Sequence, residues 1–204
     1  DSLLSPEIDL LEIGSGSGAF LKKSFDHGAN VTGIEYDAIA REWIGNKLNL
    51  NIFESFEKLP INQSFELIVR FHVLEHVADP IKFITNIAKR LTPNGTLVIE
   101  VPNVDDALLS IYGLESFAEF YFSIAHLTYF SPNTLKKVTD AANLVGKISC
   151  IPRYGLKNHI NWIKTGTPSG VKPEGVNFSP ALQKLYDNEL IELKQADTVW
   201  AVMS

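Results

Sequence analysis

Three glycines at every second position form the part of this chain best suited to hold a ligand. Gly14, Gly16 and Gly18 follow an apolar run, residues 8–13, and a helical pattern follows them. Glycine has no Cβ, so the backbone can turn sharply and approach a ligand closely. The turn also aims the first free N–H groups of the next helix at that ligand. The spacing predicts a turn that binds a nucleotide or a cofactor.

Two acidic residues flank this turn. Glu35 ends the next predicted strand, about 20 residues past the glycines, where a carboxylate can accept hydrogen bonds from both hydroxyls of a ribose. Glu12 lies inside the strand before the turn, and a buried acid there is costly unless it is paired. Both residues are therefore candidate ligand-binding groups.

Two histidines supply the candidate acid–base chemistry. His76 follows a strongly apolar strand pattern, and His126 follows a segment rich in aromatic residues. A histidine at the edge of a sheet can take a proton from a hydroxyl or an amine. For His126 this role and a structural role in fixing a lid are both open, whereas for His76 we favour a hydrogen-bonded structural role. No His, Cys and Asp residues show metal-ligand spacing, so we expect no metal.

The elements that must position these groups alternate between strand and helix. Strands are predicted at 8–13, 30–35, 48–53, 65–71, 96–101, 147–152 and 198–203, and helices at 17–27, at 37–45 and from Asp79, Ser131 and Ser179. Each of those last three residues precedes a proline, the combination of N-cap and first helical residue that starts a helix. Residues 92–95 are predicted to form a turn. The alternation predicts an α/β fold, a doubly wound and mostly parallel sheet.

Two segments break this alternation. Residues 103–130 contain seven aromatic residues without an obvious period, and they either cover an acceptor or form an extra helix on the sheet. Residues 153–178 are rich in Gly, Pro, Lys and Asn and are predicted to be a loop or lid. We expect a single domain over residues 1–204. The first strand begins almost at once and no methionine starts the chain, so we expect further sequence upstream.

Composition restricts the class of protein. The 204 residues are 45% hydrophobic and 21% charged, with a net charge of −6. No basic run indicates a nucleic-acid partner, no stretch approaches the roughly 18 apolar residues of a membrane span, and no signal peptide is visible. The lone cysteine, Cys150, is predicted to be a buried strand residue, and a cytoplasmic location fits. Nothing indicates the oligomeric state.

Several segments together resemble the class I S-adenosylmethionine-dependent methyltransferases, in the branch of types 11, 12 and 23. Residues 10–19 resemble the first motif of that family, residues 31–37 its second strand with the terminal acid, and residues 65–77 its fourth strand with a Leu74-Glu75-His76 signature. Residues 126–135 resemble a segment common in the same branch. The resemblance extends over residues 8–151. It implies a Rossmann-like sheet of seven strands with an antiparallel C-terminal strand.

The resemblance also implies S-adenosylmethionine as cofactor and assigns roles around it. Gly14, Ser15, Gly16 and Gly18 would form the floor of the site through their backbone, and Glu35 would bind the ribose. Glu12 would lie near the amino group of the methionine moiety, or bond a turn N–H instead. Tyr36 would lie beside the adenosine, or be an ordinary half-buried aromatic residue.

The remaining implied contacts lie on the next two strand ends. Adenine would meet the loop after the third strand, where Ser55 occupies the position of the family's usual acid. Glu54 could take that role, or the N–H of Phe56 could read the base. Phe71 and His72 would flank the methionine portion of the cofactor.

The acceptor has no signature of its own. An aromatic-lined pocket suits a small-molecule, sugar or lipid-linked acceptor, and residues 153–159 resemble tails of bacterial methyltransferases linked to surface-glycan synthesis. One alternative is an NAD(P)-dependent oxidoreductase, which shares the turn and the acidic strand end but has Gly-x-Gly-x-x-Gly spacing. The other alternative is a non-catalytic binding module with a methyltransferase fold.

Overall fold

The computed structural model describes residues 3–168 and 178–204, and it contains one seven-stranded sheet. The strands are β1 (Asp9–Ile13), β2 (Asn30–Ile34), β3 (Asn51–Phe53), β4 (Phe65–Phe71), β5 (Leu91–Pro102), β6 (Gly146–Ile151) and β7 (Thr198–Met203). Their order is β3-β2-β1-β4-β5-β7-β6. Strands β1 to β5 pair in parallel, and β7 runs antiparallel to both β5 and β6. The predicted fold class is confirmed.

The helices connect these strands. They are α1 (Ala19–Asp26), α2 (Ala38–Glu42), α3 (Pro80–Ala88), α4 (Ala107–Ser110), α5 (Glu115–Tyr121), α6 (Pro132–Ala141), α7 (Leu156–Thr165) and α8 (Pro180–Glu192). The side chains of Asp79, Ser131 and Ser179 each accept a backbone N–H at the start of α3, α6 and α8, as their sequence context predicts. One π-helical turn, Trp43–Lys47, continues α2.

Apolar side chains alternate between the two faces of the sheet and create a core on each side. On β4, Ile68 joins the core that contains helix residues Ile84 and Leu135, whereas Leu67 joins the core that contains Leu21 and Ile44. Helices α3, α6 and α8 therefore cover one face, and α1 and the π-helical turn pack on the other. This burial on both faces explains the continuous apolar runs in the sequence.

Two predictions about connecting segments need correction, whereas the helices within residues 103–130 fit the extra-helix interpretation. Residues 156–165, predicted as part of a loop or lid over 153–178, form helix α7, and residues 169–177 of that segment lie outside the described part of the chain. Residues 103–130 contain the two short helices α4 and α5. The predicted turn at 92–95 lies within β5 instead. These four residues separate Leu91, which pairs with Phe65, from Thr96, which pairs with Leu67.

Among the described residues, no helix combines the length and the apolar character that a membrane crossing requires. Cys150 is buried on β6, as predicted, and burial raises the pKa of its thiol to about 11.

Candidate active site

The glycine turn lies where β1 ends and α1 begins, and all three glycines have positive φ angles. Gly14 has φ +78°, Gly16 +52° and Gly18 +75°. A Cβ on Gly14 would collide with Val73, and one on Gly18 would lie 2.8 Å from Ile44. A Cβ on Gly16 would meet nothing within 4 Å. The turn is therefore packed from behind at Gly14 and Gly18 and opens onto free space at Gly16, where a ligand can approach the backbone.

The carboxylate of Glu35 holds the open side of this turn. Its Oε2 accepts the N–H of Gly16 at 2.7 Å, and its Oε1 accepts the N–H of Asp37 at 2.9 Å. A carboxylate has about four acceptor positions, so two stay free for hydroxyl groups of a ligand. Tyr36, the next residue, is 64% exposed. Its ring is not the half-buried aromatic of the alternative interpretation.

Glu12 is a buried acid directly below the turn. Its side chain is 3% exposed, and its Oε2 has no hydrogen-bond partner among the described residues. Burial raises the pKa of Glu12 to about 8, and the nearby charge of Glu35 adds to the rise. A hydrogen bond to the backbone at Leu21 and one to Ser15 oppose it. A cationic group brought to Glu12 would supply the missing partner.

Ser15 fixes the turn to the neighbouring strand. Its N–H donates to the carbonyl of Ile34 at 3.1 Å, beside that of Gly14 at 2.8 Å. Its hydroxyl donates to the carbonyl of Glu12 at 3.3 Å. These bonds join the glycine turn to the end of β2, which carries Glu35.

The loop after β3 offers the predicted adenine contacts. Ser55 precedes a 3-10 turn, Phe56–Lys58, and its side chain lowers the pKa of Glu57 through a hydrogen bond. The ring of Phe56 packs against the core and lies 5.4 Å from the Arg90 guanidinium. Glu54 is exposed to solvent. The roles of Glu54, Ser55 and Phe56 stay predictions.

Phe71 ends β4, and its ring lies on one face of the sheet. It packs edge-on to Phe20 at 5.1 Å and stacks on Trp200 at 6.3 Å between ring centroids. The role of Phe71 beside the methionine portion of the cofactor stays a prediction.

His72 occupies a strained backbone position, φ +53°, beyond the end of β4. Its Nε2 lies 2.8 Å from Oε1 of Glu100, and its Nδ1 lies 3.4 Å from Oε1 of Glu75. Hydrogen bonds to Glu100 and then to Glu75 raise the pKa of His72 to about 9, although burial opposes the rise. His72 is therefore an imidazolium at neutral pH, which disfavours it as a proton acceptor.

Glu100 is the buried centre of this charge network. Burial acts to raise its pKa, but hydrogen bonds from His72 and Trp200 and the Arg153 charge lower it below the usual range. Trp200 donates to Oε2 at 2.5 Å, and Arg153 donates to Oε1 at 2.7 Å. Arg153 Nη1 also lies 2.8 Å from Nε2 of His72. When His72 is protonated, its Nε2 and Arg153 Nη1 are both hydrogen-bond donors. They lie close together because both donate to Oε1 of Glu100.

Sequence reasoning missed Glu100, Arg153 and Trp200 as members of the site. The available signal was a single carboxylate, Glu100, in the otherwise apolar strand predicted at 96–101. Such a residue needs a partner when it is buried. Arg153 belongs to the segment 153–159, and a positive charge after β6 does not by itself show which strand end it faces.

His76 and His126 lie together in the structure. Their ring centroids are 4.9 Å apart, and Nδ1 of His76 lies 2.8 Å from the carbonyl oxygen of Ala125. The hydrogen bond fits the predicted structural role of His76. His126 is half-buried, its Nδ1 has no partner among the described residues, and burial lowers its pKa.

A cavity of about 480 Å³ opens at the same sheet edge. Its polar lining includes His72, His126 and Arg153. Its aromatic lining is built by α5, α7 and the residue after Arg153, namely Phe117, Phe120, Tyr121, Tyr154 and Trp162. Helix α5 is thus an extra helix that also forms a wall of the cavity, and the interpretation that residues 103–130 cover an acceptor stays a prediction.

A seven-stranded sheet in this order, with a glycine turn after β1 and an acid at the end of β2, defines a Rossmann-like class of ligand-binding proteins. The profile of a family described as "Methyltransferase domain" matches residues 2–146. The chain belongs to this family, whose members are class I S-adenosylmethionine-dependent methyltransferases.

Relatives and solved structures agree with this assignment. A ubiquinone biosynthesis O-methyltransferase of Coxiella burnetii (strain Dugway 5J108-111) is 27% identical over 168 residues, covering 74% of this chain and 70% of its own length. The counterpart from Rickettsia canadensis (strain McKiel) is 28% identical over 106 residues, covering 48% of this chain and 44% of its own length. The chain thus spans less than half the length of some curated relatives.

Solved structures share the fold. An S-adenosylmethionine-dependent methyltransferase from Archaeoglobus fulgidus has a TM-score of 0.68 at 16% identity, covering 99% of this chain and 88% of its own. A possible histamine N-methyltransferase from Thermotoga maritima has a TM-score of 0.62 at 18% identity, covering 100% and 84%. At these identities the likeness is one of fold.

Proposed function

We propose that this protein transfers a methyl group from S-adenosylmethionine to a hydroxyl oxygen of a small-molecule acceptor that carries a ring. One observation supports this most strongly: the cofactor turn and the aromatic cavity are joined by adjacent residues. Val73 packs behind Gly14, and His72, one residue earlier, lines the cavity. A cofactor on the turn and an acceptor in the cavity would therefore lie side by side, as methyl transfer requires.

The residues around the turn fit the cofactor of the family. Gly16 leaves open space beside its backbone, and Glu35 has free acceptor positions for the two ribose hydroxyls. Glu12 has a buried oxygen that no described residue pairs with, and this oxygen is available to the ammonium group of the methionine moiety. When bound, S-adenosylmethionine supplies an electrophilic methyl group on a sulfonium. The protein then needs mainly to orient the acceptor in line and to exclude water.

Residues of the cavity would orient the acceptor. The hydroxyl of Tyr121 is buried and has no hydrogen-bond partner among the described residues, so it can donate to a polar acceptor group. Aromatic residues such as Phe117 and Trp162 offer stacking surfaces for a ring. His126 is a neutral imidazole at the cavity wall. Its free nitrogen lone pair can accept the proton of an acceptor hydroxyl. Alternatively, it can bind a cation that coordinates that hydroxyl.

The choice of oxygen rather than nitrogen or carbon is supported by the names of the curated relatives, which are O-methyltransferases. The ring preference is supported by the cavity lining. Sugar and lipid-linked acceptors are the other candidates, since sugars also stack on aromatic side chains.

A comparison of acceptor classes tests this proposal. The protein is incubated with S-adenosylmethionine and, separately, a dihydroxybenzoate, a nucleotide sugar and a polyprenyl phosphate, and products are analysed by mass spectrometry. We expect a methylated dihydroxybenzoate, and at least tenfold less product with Glu35→Gln at cofactor concentrations near the wild-type Kd. Normal binding of S-adenosylhomocysteine with no product from any class would instead favour a non-catalytic module.

A further inference from the structure

We propose that Glu75, His76 and His126 form a binding site for one divalent transition-metal cation beside the acceptor cavity. Each residue offers one ligand atom, and these three atoms all lie within 4.8 Å of one another. Donors that share a tetrahedral zinc ion lie about 3.3 Å apart, because each is 2.0–2.1 Å from the metal. A side-chain adjustment of roughly an ångström would therefore close the site around a cation.

The carboxylate of Glu75 is buried without the partners that such a group needs. Its residue is 2% exposed, and its Oε2 has no hydrogen-bond partner among the described residues. The neighbouring charge of Arg70 does not satisfy it, because the Arg70 guanidinium nitrogens are equally unpaired within the described chain. His72 approaches only the other oxygen, Oε1, at 3.4 Å. A cation at Oε2 would supply the missing partner.

The orientation of His76 is that of a metal ligand. Its Nδ1 lies 2.8 Å from the carbonyl oxygen of Ala125, which has no hydrogen to donate, so Nδ1 carries the proton of this bond. In neutral His76 the lone pair is therefore on Nε2. Metal-bound histidines almost always donate their second ring N–H in this way, to a carbonyl or a carboxylate, and this fixes the tautomer and the ring plane.

Backbone hydrogen bonds hold the third ligand against the first two. The N–H groups of Leu127 and Thr128 both donate to the carbonyl oxygen of Glu75, at 2.7 and 3.2 Å. This clamp brings His126 to His76 across 49 intervening residues, and Nδ1 of His126 has no partner within the described part of the chain. Backbone hydrogen bonds thus hold the segments that carry the three ligands together.

The ligand set indicates the kind of cation. Two imidazoles and one carboxylate favour zinc, iron, cobalt or manganese over magnesium, which prefers oxygen ligands, and they leave coordination positions open. His126 also lines the acceptor cavity, so an open position is placed to take an acceptor oxygen. This role, unlike cation binding itself, rests on the proposed methyl transfer. The coordinated hydroxyl would release its proton to water, bond the methyl carbon, and leave the S–C electron pair on sulfur.

Metal content tests the site without any activity measurement. The protein, freed of affinity tag and stripped with a chelator, is dialysed against ZnCl₂ and its zinc is quantified. We expect about one zinc per chain, and at least about 100-fold weaker zinc affinity in Glu75→Gln and in His126→Ala. The control His27→Ala, which removes an exposed histidine at the end of α1, should keep full zinc content.

A second readout separates the site from folding and from cofactor binding. Co²⁺ added to the stripped protein should give a visible absorption band that zinc displaces and that His126→Ala lacks. His126→Ala should unfold with the wild-type thermal midpoint and bind S-adenosylhomocysteine normally. Zinc content that is equal in wild type and His126→Ala, or that falls in His27→Ala as far as in His126→Ala, would overturn the metal site. Loss of S-adenosylhomocysteine binding by the wild type would overturn the proposed function instead.

Discussion

The buried acid Glu12 predicts that cofactor affinity depends strongly on pH. In the protein without ligand its pKa is about 8, so the carboxyl is about 1% ionised at pH 6 and half ionised at pH 8. We propose that the ammonium group of the cofactor binds the ionised form. Affinity for S-adenosylhomocysteine should therefore rise about 50-fold between pH 6 and pH 8, equivalent to roughly 2 kcal/mol.

Isothermal titration calorimetry over this pH range measures the effect, and Glu12→Gln removes the titrating group. Below pH 8, wild-type binding should release close to one proton, seen as a dependence of the binding heat on the ionisation enthalpy of the buffer. Glu12→Gln should show neither the proton release nor the slope. The exposed residue Glu42 provides the matched control Glu42→Gln, which should behave as wild type. A wild-type affinity that is constant between pH 6 and 8 would refute the placement of the ammonium group at Glu12.

The same shift predicts the pH dependence of stability. The pKa of Glu12 is raised in the folded protein, from 4.5 to about 8, so the folded state binds a proton that the unfolded state releases. Glu12 therefore lowers the free energy of unfolding progressively as pH rises from about 4.5. The effect is complete above about pH 8 and amounts to about 5 kcal/mol. In urea denaturation of the ligand-free protein, Glu12→Gln should be more stable than wild type at pH 8 and equal to it near pH 4.5. Equal stability at pH 8 would contradict the raised pKa.

Three further substitutions test the site and its frame. Gly16→Ala places a methyl group in the open space beside a residue with φ +52°. It should lower the free energy of unfolding in urea by about 1 kcal/mol but weaken S-adenosylhomocysteine binding at least tenfold. Unchanged affinity would argue against a ligand at Gly16. Trp200→Phe removes a hydrogen bond to the buried Glu100 and should cost about 1–3 kcal/mol. Asn103→Leu leaves the carbonyls of Lys194 and Ala196 without this donor, and we expect a loss of about 2–4 kcal/mol by the same assay.

The strands were predictable because the sheet is buried on both faces. The apolar run 67–69 within β4 is typical of a strand that is buried on both faces. Each helix that begins with a cap and a proline is located by those two residues. The glycine turn and Glu35 were predictable for a similar reason. Both lie within one strand-helix-strand unit, so their spacing along the chain is enough to predict that they lie close together.

The sequence does not predict helix α7, because the glycines at its two ends are also typical of a loop. Gly155 precedes the helix, and Gly166 ends it in the left-handed conformation, φ +65°. Both glycines are therefore helix caps. The buried side of α7 contains polar residues, His159 and Asn161, beside Trp162. A buried side with so few apolar residues gives no clear helical pattern in a segment rich in Gly, Lys and Asn.

The charge network and the candidate metal site could not be predicted from spacing. Glu100 meets Arg153 and Trp200 because β5 and β7 pair antiparallel and β6 ends beside them. Glu75 and His126 meet through backbone hydrogen bonds between two irregular segments. No local pattern encodes such contacts, since they depend on how distant loops dock at one edge of the sheet.

Direct titration of the ligand-free protein with S-adenosylhomocysteine and with NAD⁺ tests the central claim, that the glycine turn binds the methyl donor of this family. The calorimeter should show one S-adenosylhomocysteine bound per chain and no heat from NAD⁺. The carboxylate of Glu35 accepts the N–H of Gly16, so Glu35→Gln should bind S-adenosylhomocysteine at least tenfold more weakly. Stoichiometric binding of NAD⁺ without S-adenosylhomocysteine binding would contradict it.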